Sequence, residues 1–276
     1  MRLHTEIKGP DNGYPVLCLH GHPGSGNAMS VFTAPLANQG FRTYAPDMRG
    51  YGRSKTRYPF EMTRHLDDLE ELLTHFRIEN CLVLGWSLGG IMAMELALRK
   101  PKTTEGLILI GTAARPRGSH PPISLLDNVI TGIAGTLNYA LPGWKGAITL
   151  GKRSLFRYLI QQHTPEAYQY LAKQGAPAYL KTSRHAESAL FTAIRAGYNR
   201  LPDLKTLTMP SLVLCGECDR HITAESSLET AKALPNCEAH CYPHTAHLFP
   251  WEIPTQVNQD IHAWLTKHQL NRMQRR

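Results

Sequence analysis

The tightest constraint on how this chain can fold is a rhythm. Short apolar, β-branched runs alternate with longer stretches whose apolar residues recur at helical spacing. Val16 to His20, Arg42 to Pro46, Asn80 to Gly85, Gly106 to Ile110, Ser211 to Cys215 and Glu238 to Tyr242 read as strands, with Leu3 to Ile7 as an antiparallel edge. Ala28 to Asn38, Glu61 to Phe76, Leu88 to Arg99, Ala224 to Leu234 and Thr255 to His268 read as helices between them. A strand that must be followed by a helix before its next parallel neighbour can form gives an α/β class, a mainly parallel sheet flanked by helices.

The rhythm stops between Thr112 and Arg200, where strand-like runs give way to Gly, Pro and short amphipathic segments such as Ser154 to Gln162 and Glu187 to Ala196. It resumes after Pro202. The sheet needs strands from both sides of this gap, so residues 112–200 are expected to be an insertion into a core made of 1–111 and 201–276, not a second domain in series. Charge follows the same division. Arg115 to Arg200 holds eleven lysines and arginines against three acids, a surplus equal to the +8 of the whole chain, so the rest is balanced. Such a surface concentrates anionic partners, although a solvated helical face accounts for it equally well.

Composition narrows the class further. At 42% hydrophobic and 19% charged over 276 residues the chain can bury a sizeable core, which excludes disorder and a disulfide-stapled miniprotein. Its apolar runs are too short to span a bilayer, and Met1 to Gly13 lacks the apolar core of an export signal, so a cytoplasmic protein with no stable membrane insertion is expected. Cys18, Cys81, Cys215, Cys218, Cys237 and Cys241 then read as reduced, buried small hydrophobes. Cys215-x-x-Cys218 with the second pair is a weak metal pattern, because Cys215 closes one strand and Cys237 and Cys241 lie on another.

The residues that carry chemistry begin with Gly85-Trp86-Ser87-Leu88-Gly89-Gly90, a G-x-S-x-G between a strand and a helix. A serine on such a turn projects its hydroxyl clear of the sheet, beside the free N–H groups of a helix N-terminus. Ser87 is the candidate nucleophile. A hydroxyl needs a base, and the base an orienting acid, in the chain order Ser, acid, His. Asp219 follows one late strand and His247 the last; Glu217 is the alternative acid and His244 the alternative base, while His240 and His221 read as strand and loop histidines. The loop Gly21-His22-Pro23-Gly24-Ser25-Gly26 follows an early strand, and the N–H groups of His22 and Leu88 are the candidate oxyanion hole. As a nucleotide loop it lacks both the Walker Lys-Ser/Thr and the G-x-G-x-x-G order.

In combination these segments resemble the α/β-hydrolase family over nearly the whole chain outside the insertion. His20-Gly21-His22-Pro23-Gly24 is similar to its oxyanion loop, Asp47 to Ser54 to its D-x-R-G-x-G-x-S loop, Gly85 to Gly90 to its elbow, and Gly216 to Asp219 to its acid turn. His247, Glu252 and Pro254 are similar to its H-x-x-x-x-E-x-P segment, whereas Thr223 stands where many members carry proline. The resemblance implies that 112–200 forms a helical cap over the pocket. Serine at position 87 argues against the members that use an aspartate nucleophile. The elbow is also similar to that of pimeloyl-carrier-protein methyl ester esterases, in which a basic cap meets an acidic carrier.

The expectation is a serine hydrolase that cleaves a carboxylic ester or related acyl bond through an acyl-enzyme, with Ser87, Asp219 and His247 catalytic and no cofactor or metal. Its partner is a small acyl substrate, either anionic or carrier-protein-linked, and no nucleic acid. The alternatives are a carrier-protein methyl ester esterase, a carbon–carbon bond hydrolase or perhydrolase of the same fold, and, against the complete set of three groups, a non-catalytic binding protein. A membrane-surface or nucleic-acid binder using the basic insertion and the tail Arg272, Arg275 and Arg276 lacks a recognisable recognition motif.

Overall fold

The computed structural model describes residues 1–270; the basic tail residues Arg272, Arg275 and Arg276 lie outside the described residues. Seven strands, β1 (Thr5–Lys8), β2 (Pro15–Leu19), β3 (Arg42–Pro46), β4 (Cys81–Trp86), β5 (Thr104–Ile110), β6 (Ser211–Gly216) and β7 (Cys237–Tyr242), form one sheet in the order β1-β3-β2-β4-β5-β6-β7. Only β1 runs antiparallel, paired with β3 at the edge. The other pairs are parallel, so the C-terminal ends of β2, β4, β5, β6 and β7 open on the same rim.

Alternation along each central strand supplies both cores. Leu17, Val83, Leu109 and Val213 pack on one face beneath α2 (Arg64–His75) and α3 (Leu88–Arg99), and α9 (Ala224–Ala233) covers the same side. Cys18, Leu84, Ile108 and Leu214 pack on the other beneath α1 (Ser30–Asn38) and α11 (Pro254–Lys267). A strand buried on both faces reads as a continuous apolar run, as β4 does. The elements stand close to their expected places. Residues 61–63 are a turn before α2, with the N–H of Arg64 bonded to the carbonyl of Glu61, and Gly26–Met29 is a 3-10 turn leading into α1.

Between β5 and β6 lie α4 (Leu125–Ala140), α5 (Lys145–Gly151), α6 (Pro165–Tyr170), α7 (Ala176–Lys181) and α8 (Arg184–Arg195), and no strand among the described residues. The amphipathic segment Ser154 to Gln162 holds a single 3-10 turn at Leu155–Tyr158. Ser154 Oγ accepts the N–H of Phe156, and Arg157 reaches across to Asp127, so local side-chain bonds hold a turn in place of a longer helix. Serine caps recur here: Ser124 and Asp127 form a capping box on α4, and Ser183 caps α8. A short four-residue helix follows β7 as α10 (Phe249–Glu252), directly before α11. All six cysteines are free, but the expectation of six buried hydrophobes holds only for Cys18, Cys81 and Cys215. Cys218, on the acid turn, and Cys237 are half-buried and Cys241 is exposed, because β7 is an edge strand of the sheet.

Candidate active site

Ser87 joins β4 to α3 at φ 54° and ψ −119°, a conformation that costs a non-glycine residue about 1–3 kcal/mol and persists only where the surroundings hold it. They do so through hydrogen bonds: the Ser87 N–H donates to the carbonyl of Ile110 at 2.9 Å, and the Thr112 hydroxyl donates to the carbonyl of Ser87 at 2.8 Å. The turn also needs bare backbone. A Cβ on Gly89 would lie 2.0 Å from the Leu19 carbonyl oxygen, so only glycine lets α3 begin this close to β2.

The acid turn and the histidine loop hang from the neighbouring strand ends, β6 and β7. Here His247 Nε2 lies 3.1 Å from Ser87 Oγ, and His247 Nδ1 lies 2.7 Å from Asp219 Oδ2. All three side chains are buried. The other carboxylate oxygen of Asp219 accepts the backbone N–H groups of His221 and Ile222, at 2.7 and 3.0 Å, which fixes the carboxylate plane. A carboxylate acceptor at Nδ1 selects the tautomer whose Nε2 is free to accept from the serine hydroxyl. Glu217 turns elsewhere and accepts the N–H of His244 at 3.0 Å. His244 and His240 are exposed.

The loop after β2 rests against the same serine: a Cβ on Gly21 would come within 3.1 Å of Ser87 Cβ. His20 holds this loop. Its Nε2 accepts the N–H of Met48 at 3.0 Å, which leaves Nδ1–H to donate to the Gly21 carbonyl at 2.8 Å. Burial pushes the His20 pKa down, consistent with a neutral ring in that role. Asp47 adds a second tie by accepting the N–H groups of Gly26 and Arg53, each at 2.7 Å. His22 Nδ1 accepts the Tyr51 hydroxyl at 2.9 Å, and burial together with the neighbouring His20 pushes the His22 pKa down to about 4. Leu88, whose N–H is the other expected oxyanion donor, is the first residue of α3, and Ser87 makes no side-chain cap there.

Aromatic rings close around the imidazole. Trp86 lies 5.6 Å from the His247 ring centroid and 4.7 Å from that of Trp251, and Tyr170 from α6 stacks on Trp251 at 3.8 Å. Phe191 from α8 meets His22 edge-on at 5.8 Å. Three neighbours of the site lacked a sequence signal of their own. His221, expected to be an ordinary loop histidine, stands with its ring 4.8 Å from that of His247. Tyr170 comes from the insertion, whose register with the core cannot be read from spacing. Glu252, noted only as part of a motif, accepts the N–H groups of Ala246, Gln161 and Gln162.

Comparison with known proteins gives the family and the fold. The family model described as serine aminopeptidase, S33, matches residues 14–253. A proline iminopeptidase from Pestalotiopsis fici is 25% identical over 275 residues, with 96% of each chain covered. A pimeloyl-[acyl-carrier protein] methyl ester esterase from Vibrio campbellii is 23% identical over 253 residues, covering 87% of this chain and 88% of its own. Among solved structures, a thermophilic esterase from Thermogutta terrifontis, determined with malate bound, superposes with a TM-score of 0.71 at 26% identity, over 96% of this chain and 93% of its own.

Proposed function

Because this chain belongs to the serine aminopeptidase S33 family of α/β hydrolases, we propose that it is a serine hydrolase acting on a carboxylic ester or related acyl bond. The observation that carries this reading is the hydrogen-bonded line from Ser87 through His247 to Asp219, at 3.1 and 2.7 Å, with the serine on a strained turn. Ser87 Oγ attacks the acyl carbonyl while His247 Nε2 takes its proton, and Asp219 holds the imidazole and offsets its positive charge. The N–H groups of His22 and Leu88 receive the oxyanion. The alcohol leaves with the proton from His247, and water repeats the sequence on the acyl-enzyme.

Residues 112–200 serve as a cap on the core of 1–111 and 201–276. The contacts of Tyr170 with Trp251 and of Phe191 with His22 support this, since both join the insertion to the rim that carries the serine. An ester fits the cap better than a peptide with a free amino terminus. Its surplus of lysine and arginine disfavours a cationic substrate and favours an anionic one. The same charge supports a second reading, an acyl ester presented on an acidic carrier protein. Turnover of short p-nitrophenyl esters tests the first: Ser87→Ala should lower it by about 10⁴-fold or more, and undiminished turnover would reject it. A panel of acyl esters offered free and carrier-bound separates the two substrates.

A further inference from the structure

A surface helix ordinarily turns its apolar stripe inward. α4 does the reverse. Its inward residues are small or polar: Asp127 accepts from Arg157 at 2.7 Å, Thr131 accepts the N–H of Leu155 at 2.9 Å, Asn138 donates to the Tyr168 carbonyl at 2.8 Å, and Ala134 is fully buried. The residues facing water are Leu125, Leu126, Val129, Ile133 and Leu137, with Leu125 81% and Leu126 66% exposed. Four of these recur at every fourth position, so they form one continuous row along the helix. A row of this kind on the outside of a folded chain marks a contact surface.

Three observations identify what it contacts. First, α5 and the turn Leu171–Gly175, which pack against α4, carry Lys145 and Lys173, and the link after α5 carries Lys152 and Arg153; all four are exposed and, among the described residues, without an ion-pair partner. Second, the helix ends in Tyr139 and, just beyond it, Trp144, 60% and 50% exposed, the two side chains that settle at the boundary between hydrocarbon and headgroups. Third, α4 extends about 24 Å, short of the hydrocarbon thickness, a length that suits a helix lying along a bilayer and not across it. A second copy is a poor occupant, because a two-fold contact would set these cations against each other. An acidic carrier protein complements the cations alone, whereas an anionic bilayer complements both the cations and the apolar row.

We propose that α4 and its flanking cations dock this protein on the surface of an anionic phospholipid bilayer, the apolar row entering the acyl boundary and the cations meeting the headgroups. Docking is independent of the hydrolase reading, because it is measured as binding and not as turnover.

The test is co-sedimentation of the full chain with vesicles of phosphatidylcholine, with and without phosphatidylglycerol. The wild-type protein should bind the anionic vesicles about tenfold or more tightly than the neutral ones. A variant carrying Leu126→Glu, Val129→Glu and Ile133→Glu should lose binding by about tenfold or more, and Lys145→Glu with Lys152→Glu should erase the preference for anionic lipid. Both variants should keep the wild-type thermal midpoint, since every altered side chain faces solvent. Failure of the wild-type protein to sediment, or full binding by the glutamate variant, would overturn the proposal. So would a glutamate variant that binds vesicles normally but loses turnover of a soluble ester, which would assign the row to the substrate path, or one whose only change is the loss of self-association.

Discussion

Glu252 accepts the backbone N–H of Ala246, the residue before His247, at 3.0 Å, and with its other oxygen the N–H groups of Gln162 and Gln161 at 2.6 and 3.3 Å. One buried carboxylate thus joins the histidine loop to the inserted segment. The Leu248 N–H, donating to the Leu159 carbonyl at 2.8 Å, reinforces the joint. In Glu252→Gln one oxygen becomes an amide donor facing backbone donors. We expect that change to lower the turnover number on short esters by about tenfold with little change in KM, and to destabilise the fold by on the order of 2 kcal/mol. An unchanged turnover number would remove Glu252 from the positioning of His247.

The same carboxyl leaves a signature in the pH dependence of stability. Burial raises its pKa above the ordinary glutamate value of 4.5. The folded state therefore holds this proton more tightly than the unfolded chain. The stability it contributes is complete below the ordinary value and is lost as pH rises through the raised one. Chemical denaturation of wild type and Glu252→Gln across that window should show the wild-type loss and a flatter line for the variant.

Asp219 and Glu217 stand two residues apart, and only Asp219 reaches His247. Asp219→Asn should cost on the order of 10³- to 10⁴-fold in turnover, because an amide at that place favours the wrong imidazole tautomer. Glu217→Gln should change turnover less than threefold or so, as expected for a side chain bonded only to the His244 N–H. Steady-state kinetics of both variants decide between the two carboxylates.

A buried histidine away from the site contributes to the acid limb. His65 is 2% exposed, its Nδ1 has no partner, and burial pushes its pKa down to about 4. Unfolded histidine takes its proton near 6.5, so stability is complete above that value and falls as pH drops toward 4. His65→Leu should reduce that loss by about 3 kcal/mol. A denaturation series from neutral to acid pH checks this, and equal slopes in the two proteins would refute it.

How much of this could be read from the sequence depended on how local each feature is. The turn at Ser87, the acid turn at Asp219 and the loop at His247 sit at strand ends, each recognisable from its own few residues, and the strand order brings those ends together. β4 and α3 were legible for the same reason, since β4 reads as an apolar run and the glycines of the elbow punctuate it. The contacts of the insertion were not. That Tyr170 stacks on Trp251, or that Gln162 shares a carboxylate with Ala246, depends on how a segment without strands lands on the core. The direction α4 faces is of the same kind, because an apolar period says nothing of which way the stripe points once the segment lands on the core.

Ser87 as the activated nucleophile is the centre of the proposed chemistry, and covalent labelling tests it directly. Intact-protein mass measured after exposure to a fluorophosphonate should show a single adduct, mapped by peptide analysis to Ser87 and absent from Ser87→Ala. Labelling that persists in Ser87→Ala, or an unlabelled wild-type protein that still hydrolyses esters, would contradict it.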